Sequence, residues 1–381
     1  MTRPTTTGKA QDLITFTRST TGTYLGSDGL LKSAAIDEAR IEYDAEGNCL
    51  GLLVEEARTN NLIYSNQASQ LSYHGDGVTT GVDTTEVSSP EGSGTVIKLN
   101  KTAGGYGFAR VSYGSVTYAQ TLSAFVKKGT ARYIGFRQLA AVATHTTFDL
   151  ETNTWVQTSG STSRGYEDYG NGWLRLWVVS DDSNSKTWAS LCITNSGGTE
   201  TNYETGTVYA YGIQREQGTF PTSYIPTSGS AVTRSADVAS LAVSEFGYNQ
   251  DQGTVVVTFS NFEQTTAAGS RGIVGTSSTG RFAYINGGRV RSYDGTSVIT
   301  SSPTVYKNTF IKSASTFDAS GQAVSVNGTA AVTGSFDGTW GNDGVLYMGR
   351  IGSSLLMSGY ITSLQYYPLR LSNAQLQALT I

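Results

Sequence analysis

The stretch from residue 208 to residue 238 decides the fold. It reads Val208-Tyr-Ala-Tyr-Gly-Ile-Gln214, then Phe220-Pro-Thr-Ser-Tyr-Ile-Pro-Thr227, then Ala231-Val-Thr-Arg-Ser-Ala-Asp-Val238. The first segment predicts a strand. The two prolines of the second lack an amide donor and fix φ, so this segment cannot lie in the middle of a sheet, although its tyrosine and isoleucine can pack. We therefore expect a packed connector between two β modules.

Short apolar runs separated by turn residues continue outward from this connector in both directions. Asp28-Gly29 and Glu46-Gly47-Asn48 predict tight turns near the N-terminus, and Phe148-Asp-Leu-Glu-Thr-Asn-Thr-Trp155 predicts a hairpin. Asn327-Gly328 and Asn286-Gly-Gly288 each suit a type I′ turn. Strands at this spacing without intervening helices are typical of sandwiches and jelly rolls.

The expected fold class is all-β, with a small N-terminal β subdomain, two antiparallel sandwich or jelly-roll domains and one short C-terminal helix. We divide the sequence into residues 1–63 (an arm and an attachment subdomain), 64–228 (a jelly roll) and 235–381 (a lectin-like sandwich). The helix is expected over residues 373–380, because Ser372 and Gln375 have the spacing of a capping box.

Composition argues against several classes of function. A net charge of −4 offers no basic surface to nucleic acid. No apolar run is long enough to insert in a membrane, and the first residues lack the apolar core of a signal peptide. Cys49 and Cys192 are far apart in sequence, so we expect no disulfide framework and a protein made in a reducing compartment. Both cysteines are expected to be small core residues.

Several segments resemble a broad group of tailed-phage virion proteins, the head fibres, tail fibres and receptor-binding proteins. They are Phe16-Thr-Arg-Ser-Thr-Thr-Gly-Thr-Tyr24, Asp28-Gly-Leu-Leu-Lys32, Gly51-Leu-Leu-Val-Glu-Glu-Ala-Arg-Thr-Asn60, residues 211–227 with 232–237, and residues 359–379. The segment over 211–237 is similar to the end of a carbohydrate-binding-module-like jelly roll in that group. The segment over 359–379 is similar to the closing strand and helix of a laminin-G or concanavalin-A-like sandwich.

The resemblance implies a fibre or decoration protein of the virion, usually a homotrimer, assembled in the cytoplasm of a bacterial host. Its N-terminal arm would bind other virion proteins of the capsid or tail. The shared segments lie at structural junctions, so the resemblance implies architecture and does not carry over sugar-contacting residues. On this basis, deletion of residues 1–60 is expected to abolish incorporation into particles while the other two modules stay folded.

Few residues of the chain have the pattern of a catalytic or metal site. His74 and His145 are the only histidines. Glu55 and Glu56 are adjacent strand residues that point to opposite faces, so we expect one of them to pair with Arg40 or Arg58 instead of forming a glycosidase pair. Four other acidic residues could contribute to a cation site: Asp181, Asp182, Asp337 and Asp343. We expect them to be turn residues or at most part of a ligand shell. No catalytic residue, metal site or cofactor is predicted.

Sugar binding is the chemistry that the composition favours, because pyranose rings stack on aromatic side chains and their hydroxyls bind arginine and backbone groups. Two surfaces are candidates, one beside each of two glycine-rich turns. The first comprises Tyr284, Arg289, Arg291, Tyr293 and Trp340; the second comprises Tyr106, Arg110 and Tyr113 with Phe108. The same residue types also fill β-sandwich cores and subunit interfaces, so each has an alternative structural role.

The sequence therefore predicts a non-catalytic virion protein that recognises a host-surface polysaccharide, with trimerisation multiplying weak sites. Two alternatives stay open. One is a decoration protein of the capsid or tail that binds no sugar. The other is a depolymerase of capsular polysaccharide whose carboxylates converge only in the assembled protein.

Overall fold

A computed structural model describes residues 13–74, 79–103, 107–116, 118–137, 145–158, 161–180, 186–198, 204–263, 269–337, 340–352 and 355–381. Within these residues nearly all regular structure is β-strand, with two 3-10 turns and a short α-helix near the C-terminus. The all-β fold class is confirmed. None of the helices in this part of the chain has the length and apolar character needed to cross a bilayer. The predicted arm over residues 1–11 lies outside the described residues, as do Asp181 and Asp182.

The strands between Ser72 and Gln217 form a sandwich of two antiparallel six-stranded sheets. Six short strands precede it: β1 (Thr15–Thr17), β2 (Gly22–Leu25), β3 (Leu31–Ala34), β4 (Ile41–Tyr43), β5 (Cys49–Val54) and β6 (Arg58–Asn60). The strands of the sandwich are β7 (Ser72–His74), β8 (Thr79–Thr84), β9 (Val96–Lys101), β10 (Phe108–Val116), β11 (Gln120–Lys128), β12 (Tyr133–Arg137), β13 (Thr146–Asp149), β14 (Thr154–Gln157), β15 (Ser163–Asp168), β16 (Trp173–Ser180), β17 (Lys186–Ile193) and β18 (Gly206–Gln217). The sheet orders are β14-β13-β12-β17-β10-β7 and β15-β16-β11-β18-β9-β8. Alternating apolar side chains from both sheets fill the core between them.

The C-terminal part is a second sandwich, built from two seven-stranded sheets. The strands in this part are β19 (Val232–Arg234), β20 (Val238–Ala242), β21 (Gly253–Asn261), β22 (Arg271–Gly275), β23 (Arg281–Asn286), β24 (Arg289–Tyr293), β25 (Val298–Thr300), β26 (Ile311–Asp318), β27 (Gly321–Val326), β28 (Val332–Gly334), β29 (Val345–Met348), β30 (Arg350–Ile351), β31 (Leu355–Leu356) and β32 (Gly359–Tyr367), followed by helix α1 (Asn373–Leu379). Strand β19 pairs with β6, and β30 pairs with β31, in separate two-stranded sheets. The sheet orders are β1-β20-β29-β22-β23-β24-β25 and β28-β27-β26-β21-β32-β5-β4.

Three N-terminal strands therefore belong to the sheets of the C-terminal sandwich. Strand β1 pairs with β20, and β5 pairs with β32 through Leu52 opposite Ile361 and Val54 opposite Gly359. Leu53 and Val54 of β5 are each 1% exposed. The boundaries at residues 63, 228 and 235 stay a prediction, but this pairing joins both ends of the chain in one sandwich.

The hairpin of β2 and β3 packs instead on the outer face of the middle sandwich. Leu25 and Leu31 contact an aromatic cluster around Phe125 of β11. Phe125 lies between two residues of the sandwich core, Ala124 and Val126, so its side chain points to the opposite face of the sheet. The N-terminal segment thus contacts both large modules.

The predicted connector, turns and helix are confirmed. Tyr224 and Ile225 of the connector are buried. Gly287 and Gly288 (φ 59° and 69°) form a two-residue turn between β23 and β24, and Asn327 (φ 48°) has the left-handed conformation that a type I′ turn requires. Helix α1 begins after Ser372, whose hydroxyl accepts the Gln375 N–H while the Gln375 side chain accepts the Ser372 N–H.

The prediction of core positions for both cysteines is correct for Cys192 and wrong for Cys49. Cys192 lies on β17 and is completely buried, whereas Cys49 is exposed at the first position of β5. The reason is that only the last four residues of β5 are buried, and Cys49 lies at the exposed start of the strand.

Candidate functional site

The Glu55-Glu56 pair is structural, as predicted. Glu55 forms an ion pair with Arg40 (Nη2 to Oε2, 2.8 Å), and Glu56 accepts a hydrogen bond from Arg58 Nε at 2.9 Å. Burial raises the pKa of Glu55, but the guanidinium groups of Arg234 and Arg40 and hydrogen bonds from Ser223 outweigh it and hold the pKa at about 2. The two carboxylates therefore serve separate ion pairs.

Glu55 belongs to a buried ionic cluster at the junction of the three parts of the sequence. Asp237 accepts hydrogen bonds from Arg18 (3.1 Å), Arg40 and the Glu55 N–H (2.8 Å), and Arg234 lies within 3.4 Å of Glu55. All five residues of this junction cluster are at most 3% exposed. Four of them come from segments that carry the family resemblance, so those segments have a structural role here.

Four of the five predicted C-terminal site residues share one face of the β23–β24 hairpin. Tyr284 pairs with Arg291 across the hairpin, and the Arg281 guanidinium lies over the rings of Tyr284 and Tyr293 at 5.4 and 4.9 Å. Arg289 is exposed and donates hydrogen bonds to two backbone carbonyls in the loop after β25. Tyr284 is only 4% exposed, so its ring offers little surface to a ligand.

Trp340 lies apart from this face. Its ring packs in the sandwich core against Phe317 and Phe282, with centroids 4.4 and 4.7 Å apart, and its Nε1 donates to the Thr276 hydroxyl at 3.1 Å. The side chain is 3% exposed. This ring therefore offers no open face for stacking in the isolated chain.

Of the residues predicted in the middle sandwich, Arg110 can be placed on a sheet face. Arg110 of β10 and Arg137 of β12 flank β17, and their guanidinium groups lie 5.1 and 5.2 Å from the ring centroid of Trp188. Tyr106 lies outside the described residues, as does the side chain of Tyr113. Neither Arg137 nor Trp188 is among the candidate residues predicted from the sequence.

A cleft of about 410 Å³ opens where the middle sandwich, the β4–β5 hairpin and the C-terminal sandwich meet. It is a candidate ligand site because it combines an exposed aromatic ring with polar groups. Phe310 before β26 is 48% exposed. Tyr166 of β15 is 43% exposed, but its ring meets the core residue Phe148 at 5.3 Å, so it points to the opposite face of the strand from Glu167. Phe310 lies against Tyr360, with ring centroids 6.5 Å apart, and Phe262 meets Tyr360 edge-on at 5.0 Å.

Carboxyl groups line the same cleft. Glu42 is 6% exposed, and the hydrogen bond to its side chain comes from the Leu25 N–H at 3.2 Å. Burial raises the pKa of Glu42 to about 8, and the carboxylates of Glu55 and Glu167 add to this rise. Glu167 keeps solvent contact, yet the walls of the cleft remove enough water to raise its pKa as well. Glu42 therefore keeps its proton at neutral pH.

We expect Glu42→Gln to change how stability depends on pH. The pKa of Glu42 is about 8 in the folded protein and 4.5 in its ordinary state, so the folded state binds more protons between these values and loses stability as pH rises through this window. The loss amounts to at most about 4 kcal/mol and should disappear in the variant. Urea unfolding at pH 5 and pH 8 measures it, with Glu245→Gln as the surface control. Equal pH dependence in wild type and Glu42→Gln would contradict the assignment.

Sequence analysis missed this cleft because its walls come from distant positions. Two stretches carried a usable signal, Ile41-Glu-Tyr-Asp44 and Tyr166-Glu-Asp-Tyr169, in which aromatic and acidic residues are mixed at a strand end. Neither stretch shows by itself that the two stretches lie close together in the folded protein. Among the described residues, no group of three or more His, Cys, Asp or Glu side chains is placed to hold a metal ion.

No family model and no curated protein matches the chain. Solved structures match at low similarity. A CBM40 module of a Ruminococcus gnavus sialidase bound to α2,3-sialyllactose is 18% identical, with a TM-score of 0.28 over 35% of this chain and 84% of that one. Trypanosoma rangeli sialidase with the inhibitor DANA is 11% identical, with a TM-score of 0.30 over 81% and 68%. A tandem of CBM22 modules from Paenibacillus barcinonensis Xyn10C is 9% identical, with a TM-score of 0.26 over 81% and 98%. TM-scores this low do not establish a shared fold.

Proposed function

We propose that this protein is a fibre or decoration protein of a tailed-phage virion that recognises a host-surface glycan without catalysis. The resemblance of its junction segments to such proteins supports the place in the virion. The observation that carries the recognition is the cleft, where the exposed ring of Phe310 lies against Tyr360 beside carboxyl groups that can bind sugar hydroxyls.

The proposed partners are other virion proteins, bound through the N-terminal arm, and polysaccharide on the host surface. A homotrimer would present three copies of the cleft. Linked weak sites bind a repeating polymer far more tightly than one site does, because the later contacts form at high effective concentration. Sedimentation of the purified protein tests whether it is a trimer. If the protein is a monomer, this source of affinity is absent.

We expect Phe310→Ala to weaken glycan binding about fivefold, since it removes a stacking surface contributing about 1 kcal/mol. The measurement is binding of the full chain to an array of bacterial surface polysaccharides. Tyr306→Ala is the matched control, because Tyr306 is 62% exposed in the same loop as Phe310 and does not line the cleft. Absence of binding by the wild-type protein would favour a purely structural decoration protein.

One observation favours a second candidate function, a polysaccharide depolymerase. Two carboxyl groups with raised pKa values, Glu42 and Glu167, line one cleft, and a protonated carboxyl at neutral pH can act as the general acid of a glycosidase. A reducing-end assay on host polysaccharide tests this function. Release of oligosaccharides by the wild type, lost in Glu42→Gln, would replace the non-catalytic proposal.

A further inference from the structure

We propose that a second surface, an arginine face on the C-terminal sandwich, binds an acidic polysaccharide through its carboxylate groups. This inference rests on the proposed function, since it names the charge of the host polymer and a site for it outside the cleft. The arginine face comprises Arg281, Arg289 and Arg291 of the β23–β24 hairpin with Arg350 of β30. Arg289 is exposed, and the other three are partly buried.

Strand register places the three hairpin arginines on the outer face of their sheet. Val290 of β24 is fully buried in the core, so the side chains before and after it, Arg289 and Arg291, point away from the core. Arg281 is paired with Tyr293 across the hairpin, and its guanidinium lies 4.9 Å from the centroid of that ring. The three positive charges therefore share one surface.

Arg350 reaches the same surface from the neighbouring hairpin. Its guanidinium lies 5.9 Å from the ring centroid of Tyr347 on β29. The register runs from Tyr347 through Gly275 of β22 to Arg281, and residues that are paired across a sheet share a face. A Cβ at Gly275 would lie 3.1 Å from Ile351 Cδ1, so the β30–β31 hairpin packs closely on this face and borders it.

No carboxylate among the described residues forms an ion pair with these four arginines. Arg271 and Arg370 of the same sandwich do have such partners, Glu263 and Asp318. Asp294 is the acidic residue nearest in sequence, but it is 1% exposed and its carboxylate accepts N–H groups within its own turn. Like charges on one surface without a partner of opposite sign attract an anion from solution.

The arginines also keep hydrogen-bond donors that no group in the described part of the chain accepts. Arg281 and Arg350 each donate Nε–H to a backbone carbonyl, that of Ser278 at 2.6 Å and that of Gly352 at 2.8 Å, while their Nη groups form no hydrogen bond. The Nε of Arg291 is buried without an acceptor, which is costly in a folded protein. A carboxylate accepts two parallel N–H bonds from one guanidinium, so a ligand carboxylate would supply acceptors to this set.

An acidic polysaccharide suits this face better than nucleic acid does. The whole chain has a net charge of −4, and carboxyl groups line the cleft. Duplex DNA carries one negative charge for about every 1.7 Å of its length, so most of it would meet a repulsive surface beyond the four arginines. A uronic acid polymer has one carboxylate on each sugar, and its charges are spaced further apart.

The test compares two oligosaccharides with the same galacturonic acid backbone, one with free carboxylates and one whose carboxylates are methyl esters. We expect the full-length protein to bind the free acid about tenfold more tightly at pH 7 and low salt, and this preference to shrink as salt screens it. Equal binding of the two forms would overturn the inference. If neither form binds while other polysaccharides on the array do, the inference fails and the proposed function stands.

Two variants connect the preference to the arginine face. Arg281→Gln and Arg289→Gln should each reduce the preference for the free acid about fivefold, and Arg289 is exposed, so its replacement is not expected to disturb folding. Arg164→Gln, at a partly buried arginine of β15 in the middle sandwich, is the matched control. Phe310→Ala should leave the preference unchanged, because Phe310 lines the cleft. A preference that survives both arginine variants, or is lost in Phe310→Ala, would place the carboxylate elsewhere and overturn the assignment.

A competition experiment separates a sugar carboxylate from a general polyanion. Duplex DNA at the same concentration of negative charge should displace the free-acid oligosaccharide at least tenfold less well than unlabelled oligosaccharide does. Equal displacement would mean that the arginine face takes any polyanion, which overturns the choice of a polysaccharide.

Discussion

Asp237→Asn should lower the free energy of unfolding by about 3 to 5 kcal/mol, because it removes a negative charge that compensates buried arginines. Asp237 accepts hydrogen bonds from Arg18, Arg40 and the Glu55 N–H, and its side chain has no solvent exposure. After the substitution, three buried guanidinium groups share a single carboxylate. Water cannot replace the lost partner in so closed a site.

The measurement is denaturant unfolding followed by tryptophan fluorescence. Asp28→Asn is the matched control, since the Asp28–Lys32 pair (3.0 Å) lies in the N-terminal segment but is exposed, and little change is expected there. Ser223→Ala is a milder test within the cluster, because it keeps every charge and removes hydrogen bonds to Glu55 and Arg40. An Asp237→Asn protein that unfolds at the wild-type denaturant concentration would show that the cluster does not stabilise the junction.

Deletion of residues 1–60 should prevent the C-terminal sandwich from folding. The deletion removes β5 and β4 from one sheet and β1 from the other, and it takes away the buried side chains of Leu53 and Val54. Strand β32 would then lose its β5 partner and expose backbone groups that favour aggregation. This outcome is the opposite of the one that the sequence predicts, which is an N-terminal attachment subdomain separable from the other two modules.

Limited proteolysis and circular dichroism of the truncated protein test this expectation. A deletion that ends at residue 12 removes no strand of the described fold and is the control. A fragment of residues 61–381 that is soluble, protease-resistant and unfolds at the wild-type temperature would contradict the expectation. It would also restore the view of the N-terminal segment as an independent unit.

Local signals were sufficient to predict the fold class. The turn at Gly287-Gly288, the hairpin of β13 and β14 and the capping box of α1 each depend on residues within a few positions of one another. The pairing of β5 with β32 depends instead on residues about 300 positions apart, and no periodicity within either strand specifies its partner. Local pattern therefore predicted strands but not their assignment to sheets.

The same limit explains why the sequence did not predict the candidate site. Glu42, Glu167 and Phe310 approach one cleft only after the hairpin, the middle sandwich and the C-terminal sandwich have packed together. The predicted glycan residues were chosen beside glycine-rich turns, where sequence neighbours are also spatial neighbours. That choice correctly grouped Tyr284, Arg289, Arg291 and Tyr293 on one hairpin, but it could not find a site assembled between modules.

The pairing of β5 with β32, the last strand, in one sheet sets an order of events during synthesis. The middle sandwich uses only strands that are contiguous in the chain, so it can form while the ribosome is still translating. Strand β5 cannot pair with β32 until β32 has been synthesised, and at the usual elongation speed that delay is on the order of tens of seconds. During this interval the N-terminal strands have unpaired edges, and chaperones or neighbouring nascent chains can capture them. Yield in a bacterial host should therefore depend on translation speed more strongly than the stability of the finished protein would suggest.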